Sequence, residues 1–291
     1  MNYKDIYEMG QTILQDNDIE EYKLDAFLLF EHIFHIPKTK YYLIMNDLVS
    51  PQDLILLEEY LRCIKKRATH IPLQHIIGTS EFMGLKFKVN ENVLVPRWDT
   101  ECLVEKVMNI ISKHNNSNPK VLDMCTGSGC IAISLMKLCG LKQITAVDLS
   151  KEALNVAKEN AKAIDCNVTF IESDLFEKIK DQNFDIIVSN PPYIPTKVID
   201  GLSKEVKLHD PYMALDGDED GLKFYRQITK DASTKIIDGG YLAYEIGHDQ
   251  GCAVRAIMED NGFDDIEVSK DLAGYDRVVI GRMNRRNNNV R

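Results

Sequence analysis

The sequence predicts an α/β fold with a mostly parallel sheet, preceded by a bundle of helices. Apolar residues recur at helical spacing up to residue 72, and short β-branched apolar runs alternate with helical patterns beyond residue 120. Strands that alternate with helices form parallel sheets, because each parallel connection has to cross a face of the sheet. Glycine-rich or polar segments follow several of these runs, as expected at the ligand-binding edge of such a sheet.

The N-terminal segment, residues 1–72, is predicted to be a helical domain. Ile6 and Leu14 belong to one apolar helix face, and Ser50 is suited to cap a later helix through its hydroxyl group. Pro72 ends the segment, since proline disrupts a helix that would continue through it. Apolar stripes of this kind are typical of a core, so no cofactor is expected in this domain.

Residues 73–96 are predicted to form a β-hairpin linker. Within residues 85–95, apolar residues alternate with polar ones on either side of a polar turn at 90–92. The third segment, residues 97–283, opens with a helix and contains the α/β sheet. The polar tail, residues 284–291, is expected to be disordered.

Composition favours an intracellular enzyme and disfavours a nucleic-acid or membrane protein. The net charge of −10 over 291 residues is opposite to the basic surfaces that bind phosphate backbones. No apolar run is long enough to span a membrane, and the first residues do not resemble a signal peptide. The seven cysteines are scattered without a C-x-x-C pair, which is typical of reduced thiols in the cytoplasm and unlike a structural zinc site.

The most informative segment is Asn190-Pro191-Pro192-Tyr193, which directly follows a predicted buried strand at residues 184–189. The two prolines end the strand because neither can donate to a sheet hydrogen bond. Asn190 is therefore expected at the carboxyl edge of the sheet, where its amide and the Pro191 carbonyl offer acceptors. With the ring of Tyr193 beside them, these acceptors suit a planar NH2 group of an amide, an adenine or a cytosine.

A second set of candidate residues lies upstream, at the ends of three further predicted strands. Glycines in the loop after the first of these strands permit a tight turn and a close approach of the backbone to a ligand. The acid at the end of the second strand suits ribose hydroxyls, and the acid and apolar residue at the end of the third suit an adenine ring. The residues are Asp123 in the first strand, the loop Cys125, Thr126, Gly127, Ser128 and Gly129, then Asp148 and Leu149, and finally Asp174 and Leu175.

Two cofactor classes fit this glycine loop. The spacing of Gly127, Gly129 and Ala132 matches G-x-G-x-x-A, which also occurs in nicotinamide-binding domains. Asp123 favours S-adenosylmethionine, because a carboxylate four residues before the glycine can meet the cationic methionyl end of that cofactor.

The motifs resemble the PrmC/HemK family, the peptide chain release factor N5-glutamine methyltransferases. The resemblance covers residues 70–282 and includes PLQHIIG at 72–78, VLVPR at 93–97, EIG at 245–247 and DLAGYDR at 271–277. It implies a class I S-adenosylmethionine-dependent methyltransferase fold with a Rossmann-like sheet. The implied reaction is methylation of the glutamine side-chain amide nitrogen, N5, in the Gly-Gly-Gln motif of class I translation release factors.

The resemblance also implies roles for particular residues. Asn190, Pro191 and Tyr193 are expected to be catalytic and, with Pro192, to bind the substrate amide. Arg97, Thr100 and Asn190 are expected to join the loop and strand-end residues in binding the cofactor. The N-terminal helices are expected to dock the protein substrate, and no direct contact with nucleic acid is expected.

Two residues depart from the family pattern. Cys125 stands where glycine is usual, so the loop is not expected to rely on a positive φ at that position. A helix N-terminus nearby could lower the pKa of the Cys125 thiol, while an inert gap-filling role is the alternative. Trp98 replaces a proline that usually follows Arg97.

Other functions share parts of this pattern. Adenine-N6 or cytosine-N4 methylation of DNA uses the same NH2-binding motif, but the acidity of the chain and the absence of a long basic segment disfavour it. An NAD-dependent oxidoreductase or a non-catalytic binding module would leave residues 190–193 unexplained. The acidic segment at 216–221 resembles half of a calcium loop, but Gln227 stands where a bidentate Glu is needed, so no metal is expected.

Overall fold

A computed structural model describes residues 1–113, 116, 118–180 and 183–285 of the chain. The chain forms two compact units. The smaller unit contains Met1–Gly78 together with Ser203–His209, and the larger contains Thr79–Leu202 and Asp210–Arg291. The sequence predicted the end of the helical domain at residue 72 and did not indicate that the later segment belongs to it.

The secondary structure alternates between helices and strands after residue 79. The helices are α1 (Tyr3–Gln15), α2 (Tyr22–Phe34), α3 (Lys38–Ile44), α4 (Asp53–Ala68), α5 (Leu73–Ile77), α6 (Trp98–Lys113), α7 (Cys130–Cys139), α8 (Lys151–Ile164), α9 (Thr196–Ile199), α10 (Lys204–His209), α11 (Tyr212–Leu215), α12 (Lys223–Lys235) and α13 (Gly251–Asp260). The strands are β1 (Thr79–Phe82), β2 (Leu85–Lys88), β3 (Val121–Met124), β4 (Ile144–Asp148), β5 (Thr169–Glu172), β6 (Phe184–Ser189), β7 (Ile236–Glu245), β8 (Phe263–Lys270) and β9 (Asp276–Met283). None of the described helices is both long and apolar enough to span a membrane.

The smaller unit is the predicted helical domain. Ile6 and Leu14 of α1 are fully buried in its core. Ser50 was predicted to be the N-cap residue of α4, but Gln52 occupies that position because the helix begins at Asp53; the Ser50 hydroxyl still accepts a hydrogen bond from the Asp53 amide at 3.0 Å. Arg67 of α4 is buried between Asp25 of α2 and Glu205 of α10, at 2.7 Å from each carboxylate. The two ion pairs neutralise a charge that would otherwise be costly to bury.

The larger unit is built on a seven-stranded sheet in the order β5-β4-β3-β6-β7-β9-β8. Its strands β3 to β7 are parallel, and β9 is inserted antiparallel to both β7 and β8. The chain proceeds outward from β3 in one direction and then returns to add β6 on the other side. The order therefore reverses between β3 and β6, which is where open α/β sheets bind their ligands.

The linker hairpin lies earlier in the chain than the sequence predicted. Strands β1 and β2 pair around Met83 and Gly84, which have φ of 51° and 71°. Two successive residues with positive φ form a tight hairpin turn. The predicted turn at residues 90–92 is present, but no paired strand follows it. Val93 instead packs with α8 in a small buried cluster, and burial there replaces strand pairing.

The end of the predicted tail is ordered as far as it is described. The Arg285 amide donates to Asp238 at 3.0 Å, and the Asn284 side chain hydrogen-bonds to Asp264. Residues 286–291 lie outside the described residues. These two residues follow the end of β9 at Met283 and are held by side chains of the neighbouring strands β7 and β8.

Candidate active site

The candidate residues meet along one edge of the sheet, at the carboxyl ends of β3, β4, β5 and β6. Asp123 lies opposite Val188 of β6 in the parallel register, and Met124 lies opposite Ser189. The loop after β3 and the residues after β6 therefore leave the sheet side by side. This is the point at which the strand order reverses, so the sequence prediction of a shared edge is confirmed for these strands.

The glycine loop is shaped by hydrogen bonds to its neighbours in the sheet. The Thr126 amide donates to the Val147 carbonyl at 2.9 Å, which ties the loop to β4. Gly129 has a φ of 80°, and a Cβ atom there would lie 2.9 Å from Ile133 and 3.1 Å from Ala157. Only glycine fits this position without displacing α7 from α8. The loop thus reaches the start of α7 in a conformation that directs backbone amides toward the strand edge.

Cys125 contradicts the expectation that a non-glycine residue would avoid positive φ. Its φ is 63°, which costs a residue with a Cβ roughly 1–2 kcal/mol. The sheet edge before it and the Thr126 bond after it impose this conformation. The pKa prediction was also wrong in sign, because burial, with the charge of Asp148, raises the pKa of the Cys125 thiol well above its ordinary value. The thiol is therefore protonated at neutral pH.

Asp123 is completely buried beneath the loop. Its Oδ2 atom accepts hydrogen bonds from the Thr126 hydroxyl at 2.6 Å and from the Ala132 amide at 3.1 Å. Its Oδ1 atom has no hydrogen-bond partner among the described residues. Burial raises the pKa of Asp123 to about 7, and the nearby Asp148 carboxylate adds to the rise. A cationic or hydrogen-donating group at this point would be stabilised by the unpaired oxygen.

Asp148, the last residue of β4, holds the loop from the other side. Its Oδ2 atom accepts the Gly127 amide at 2.8 Å and its Oδ1 atom accepts the Ser150 amide at 2.9 Å. Burial raises the pKa of this carboxyl despite those two bonds. Each oxygen keeps a second acceptor site, so the group can still bind hydroxyls. The next side chain, Leu149, is exposed at the same edge.

The third strand end is more open than the first two. Asp174 is exposed just after β5, and Leu175 is half-buried against the core behind the site. Leu175 has a φ of 42°, which turns the chain sharply at the strand end. An exposed acid and a partly buried apolar residue therefore lie next to each other, as the sequence predicted from their positions.

Asn190 leaves the sheet at the end of β6 in a defined orientation. Its side-chain nitrogen, Nδ2, donates to the hydroxyl oxygen of Thr100 at 3.3 Å. Thr100 is itself buried in the first turn of α6. Pro191 and Pro192 are buried, and Tyr193 is half-buried. The contact turns the carboxamide oxygen of Asn190 away from Thr100.

The acidic segment at 216–221 packs against the backbone of Tyr193, and its acids are not arranged around a metal site. A Cβ at Gly217 would lie 2.9 Å from the Tyr193 backbone, and one at Gly221 would lie 2.3 Å from its carbonyl oxygen. Gln250 completes the support, since its side-chain amide donates to the Tyr193 carbonyl at 2.9 Å. Asp218 pairs with Lys223 of the following helix at 2.9 Å. Among the described residues, no group of three or more His, Cys, Asp or Glu side chains is arranged to hold a metal ion.

The segment before α6 lies beside a buried acid. Arg97 donates to Asp210 at 3.0 Å, and the side chain of Asp210 is fully buried while that of Arg97 is 40% exposed. Trp98, which replaces the usual proline, is exposed and begins α6. Arg97 is thus held by a protein carboxylate, and its guanidinium keeps further N–H donors.

Glu245, the last residue of β7, belongs to the site although sequence analysis assigned it no role. Its side chain is buried, and its Oε1 atom accepts from the Tyr193 hydroxyl at 3.4 Å. Burial raises the pKa of Glu245 to about 7, although the positive charge of Arg277 opposes the rise. The available signal was its place in the segment EIG, which is part of the family resemblance.

Comparisons with known proteins agree with both units. A family model described as the PrmC N-terminal domain matches residues 5–78, and one described as a methyltransferase small domain matches residues 100–204. A Clostridium acetobutylicum protein named release factor glutamine methyltransferase is 38% identical over 284 residues, covering 96% of this chain and 98% of the relative. A protein of the same name from Thermodesulfovibrio yellowstonii is 41% identical over 251 residues, covering 86% of this chain and 88% of the relative.

Solved structures match the fold of the larger unit. A methyltransferase from Pyrococcus furiosus superposes with a TM-score of 0.51 at 15% identity, covering 70% of this chain and 91% of that one. A Thermus thermophilus 16S rRNA methyltransferase, solved with S-adenosylmethionine and guanosine, has a TM-score of 0.51 at 15% identity, covering 70% of this chain and 49% of that one. Identities this low indicate a shared methyltransferase fold and carry no information about the substrate.

Proposed function

The chain belongs to the release factor glutamine methyltransferase family, and we propose that it methylates the N5 nitrogen of the glutamine in the Gly-Gly-Gln motif of class I release factors. The methyl donor is S-adenosylmethionine. The observation that carries the proposal is the orientation of Asn190. Its amide nitrogen is used by Thr100, which leaves its amide oxygen to accept from a substrate NH2 group.

The donor set at the strand edge fits S-adenosylmethionine. The unpaired Oδ1 atom of Asp123 suits the cationic methionyl end, and the backbone amides of the glycine loop suit its carboxylate. The remaining acceptor sites of Asp148 suit the ribose hydroxyls, and exposed Leu149 with Leu175 suits the adenine ring. Thr126, Ser128 and Gly129 belong to the loop, and we propose that Arg97 and Thr100 also contribute to cofactor binding.

The substrate amide needs help because its nitrogen lone pair is delocalised into the carbonyl. Bound S-adenosylmethionine supplies an electrophilic methyl group on a sulfonium. We assign to Asn190 Oδ1 and the Pro191 carbonyl the role of accepting the two N–H bonds of the glutamine amide. These acceptors hold the nitrogen in line and stabilise the positive charge that develops on it. Pro192 and Tyr193 complete the pocket, with the Tyr193 ring against the amide plane.

Proton removal requires no strong base at the nitrogen. An N-alkylated amide cation is acidic and loses a proton readily to water or to a carbonyl oxygen. The acceptors that we assign to Asn190 and Pro191 are consistent with this chemistry. This distinguishes it from sites in which a base has to activate the nucleophile before reaction.

The smaller unit is proposed to dock the protein substrate. Its segment from residue 42 to 55 exposes large apolar side chains, with Leu43, Leu48 and Ile55 at 83%, 81% and 78% exposure. Apolar groups that remain in water are available to bury against a partner. Binding a second surface of the release factor would raise the effective concentration of its Gly-Gly-Gln loop at the active site. A release-factor substrate also implies that the enzyme works in the cytoplasm.

DNA methylation is not favoured. The net charge of −10 opposes binding to a phosphate backbone, and the relatives named above are release factor methyltransferases. The proposed function involves no direct contact with nucleic acid.

The test is mass spectrometry of a purified class I release factor after incubation with the full-length protein and S-adenosylmethionine. We expect a gain of one methyl group on the glutamine of the Gly-Gly-Gln motif. Asn190→Ala should lose on the order of 10²–10³ in turnover while its affinity for S-adenosylhomocysteine changes much less. Parallel reactions with a double-stranded DNA fragment should remain unmethylated. Methylated adenine or cytosine with an unmodified release factor would refute the proposal.

A further inference from the structure

Gln250 hydrogen-bonds to three segments of the chain beside the proposed substrate pocket. Its Oε1 atom accepts from the Gly247 amide, just after β7, at 2.9 Å. Its Nε2 atom donates to the Tyr193 carbonyl, after β6, at 2.9 Å and to the Gly221 carbonyl, in the acidic segment, at 3.3 Å. Gln250 is buried, so water competes little for these bonds. Because a carboxamide nitrogen only donates and its oxygen only accepts, the three bonds are satisfied by one orientation of the side chain.

The start of α13 does not explain this glutamine. Gln250 is the N-cap residue of α13, a position where Ser, Thr, Asp and Asn are preferred because their short side chains bond to the first amides of the helix. Within the part of the chain that the structure describes, the Gln250 side chain makes no such bond. It extends instead to the carbonyls of Tyr193 and Gly221, which belong to other segments.

The backbone of Tyr193 is packed against the acidic segment as closely as glycine allows. A Cβ at Gly217 would lie 2.9 Å from the Tyr193 Cα atom. A Cβ at Gly221 would lie 2.3 Å from the Tyr193 carbonyl oxygen. The Gly217 amide also donates to the carbonyl of the next residue, Ile194, at 2.8 Å. The two glycines therefore admit the acidic segment to this contact, and Gln250 bonds to both sides of it.

The ring of Tyr193 is held less firmly at its hydroxyl end. The hydroxyl donates to Glu245 Oε1 at 3.4 Å, which is long for a hydrogen bond between two oxygen atoms. The direction of the ring therefore depends mainly on the backbone from which the side chain projects. A tilt of that backbone is amplified at the ring, because the ring lies farther from the Cα atom than the carbonyl does.

We propose that Gln250 is a positioning residue that holds the Tyr193 backbone so that the Tyr193 ring lies against the plane of the substrate amide. This role rests on the methyltransferase function proposed above. Asn190 and Pro191 accept the N–H bonds of the amide, and the ring restricts rotation of the amide about those bonds. A misplaced ring leaves the cofactor bound but the nitrogen out of line with the methyl group, so the loss should appear in the rate of transfer.

The experiment measures single-turnover methylation of a Gly-Gly-Gln peptide by the full-length protein at saturating S-adenosylmethionine. Gln250→Glu keeps the shape of the side chain and an acceptor for Gly247, but it replaces the donor to the two carbonyls by an oxygen atom. The rate should fall on the order of 10–100-fold, because a displacement of about 1 Å at a reacting group has this effect. The affinity for S-adenosylhomocysteine should stay close to the wild-type value. Gln250→Met removes the same bonds without adding a charge and should show the same pattern.

A double variant tests whether Gln250 acts through the ring of Tyr193. Tyr193→Ala removes the ring and keeps the carbonyl that Gln250 binds. Once the ring is absent, its placement no longer matters, so adding Gln250→Glu to Tyr193→Ala should slow the reaction by about twofold or less. Two independent effects on the fold would instead give the sum of the two single losses in free energy.

A matched control is available at the other end of the same helix. Asn261 follows α13, and its side-chain amide donates to the Ile257 carbonyl at 2.8 Å. Asn261→Asp therefore also replaces an amide donor to a backbone carbonyl by a carboxylate oxygen. Urea unfolding followed by circular dichroism should show that Asn261→Asp is destabilised but folded, and its rate of methylation should equal that of wild type.

Four results would overturn the inference. They are a wild-type rate in both Gln250 variants, additive losses in the double variant, a fall in S-adenosylhomocysteine affinity equal to the fall in rate, and misfolding of both Gln250→Glu and Gln250→Met. The last result would show that the residue serves the fold alone. An inactive wild type would instead refute the proposed function together with this inference, so the two failures are distinguishable.

Discussion

Replacement of Asp123 by asparagine should make the unliganded protein more stable at high pH while weakening its binding of cofactor. The substitution keeps the size of the side chain and an oxygen that can accept from Thr126 and Ala132. It removes the buried negative charge and adds an NH2 donor where the unpaired Oδ1 atom now lies. The balance of these two changes depends on pH.

The magnitude follows from the pKa of Asp123, which burial raises from its ordinary value of 3.8 to about 7. In the folded state the group keeps its proton over this range, whereas in the unfolded state it has lost it. The folded state therefore binds more protons, and the free energy of unfolding falls as the pH rises from 3.8 to about 7. A pKa difference of about three units between the folded and unfolded states corresponds to a destabilisation of about 4 kcal/mol, which is fully present above pH 7.

Asparagine does not carry this penalty, but its buried NH2 group costs about 1–3 kcal/mol if it finds no acceptor. At pH 8 the Asp123→Asn variant should therefore be more stable than wild type by about 1–3 kcal/mol. At pH 5 most of the wild-type penalty is absent, and the two proteins should differ by about 1 kcal/mol or less. Urea unfolding followed by circular dichroism at both pH values measures the two differences.

Cofactor binding should change in the opposite direction. The variant lacks the charged carboxylate that would pair with the methionyl end of the cofactor. Its binding of S-adenosylhomocysteine, measured by calorimetry, should therefore weaken by roughly 1.5–3 kcal/mol, or about 10–150-fold. Asp185→Asn is the matched control, because Asp185 is a buried carboxylate near the start of β6 and its Oδ2 atom accepts the Lys120 amide at 2.7 Å. A variant at position 123 that is less stable than wild type at pH 8, or that binds the ligand normally, would refute the reasoning.

Three further predictions concern the rest of the site and the smaller unit. Asp148→Ala should weaken the binding of S-adenosylmethionine and of S-adenosylhomocysteine by the same few kcal/mol in calorimetry. If the variant binds both ligands as tightly as wild type, Asp148 does not hold the ribose. Cys125→Gly should relieve the strain of the left-handed backbone and leave the free energy of unfolding unchanged or raised by up to about 1 kcal/mol. Cys130→Gly, the control in α7, should lower the free energy of unfolding by about 1 kcal/mol or more. Thermal unfolding measures both effects. A protein that begins near Ile71 should stay monodisperse in gel filtration and methylate a Gly-Gly-Gln peptide about as well as the full chain, but lose most of its advantage on an intact release factor. Equal efficiency of the two proteins on the intact release factor would refute docking, and aggregation of the shorter protein would favour a structural role for the smaller unit.

The local patterns of the sequence were sufficient for the order of the main elements. The runs at β3, β4 and β6 are short, apolar and β-branched, and each is followed by a glycine, acidic or proline segment that cannot continue a strand. Because parallel strands end at a common edge, those segments could be assigned to one site without knowing the sheet order. The hairpin turn was predicted at residues 90–92 instead of 83–84. Alternation of apolar and polar residues over a short segment does not show whether that segment pairs with the strand before it or with the one after it.

The backbone conformation of the cofactor loop does not follow from the φ preferences of its residues alone. A cysteine at position 125 predicts negative φ, yet the loop has a φ of 63° there. The bond from Thr126 to β4 and the close packing of Gly129 against α8 impose the turn. The burial that raises the pKa of the thiol likewise comes from packing that a sequence does not record.

The sequence by itself determined the α/β class, the helical N-terminal domain and the residues at the strand ends, because each depends on contacts within a few residues or on one general rule of parallel sheets. The reaction family followed from the resemblance of its motifs to a known family. Only the tertiary structure decided which distant groups act on them. Thr100 and Asn190 are 90 residues apart in the chain, yet a hydrogen bond between them orients the Asn190 amide. The same holds for Glu245, whose buried side chain lies at the end of β7 beside Asn190 only because β7 pairs with β6. Hydrogen-bond direction and desolvation depend on neighbours in space, and a linear pattern does not contain them.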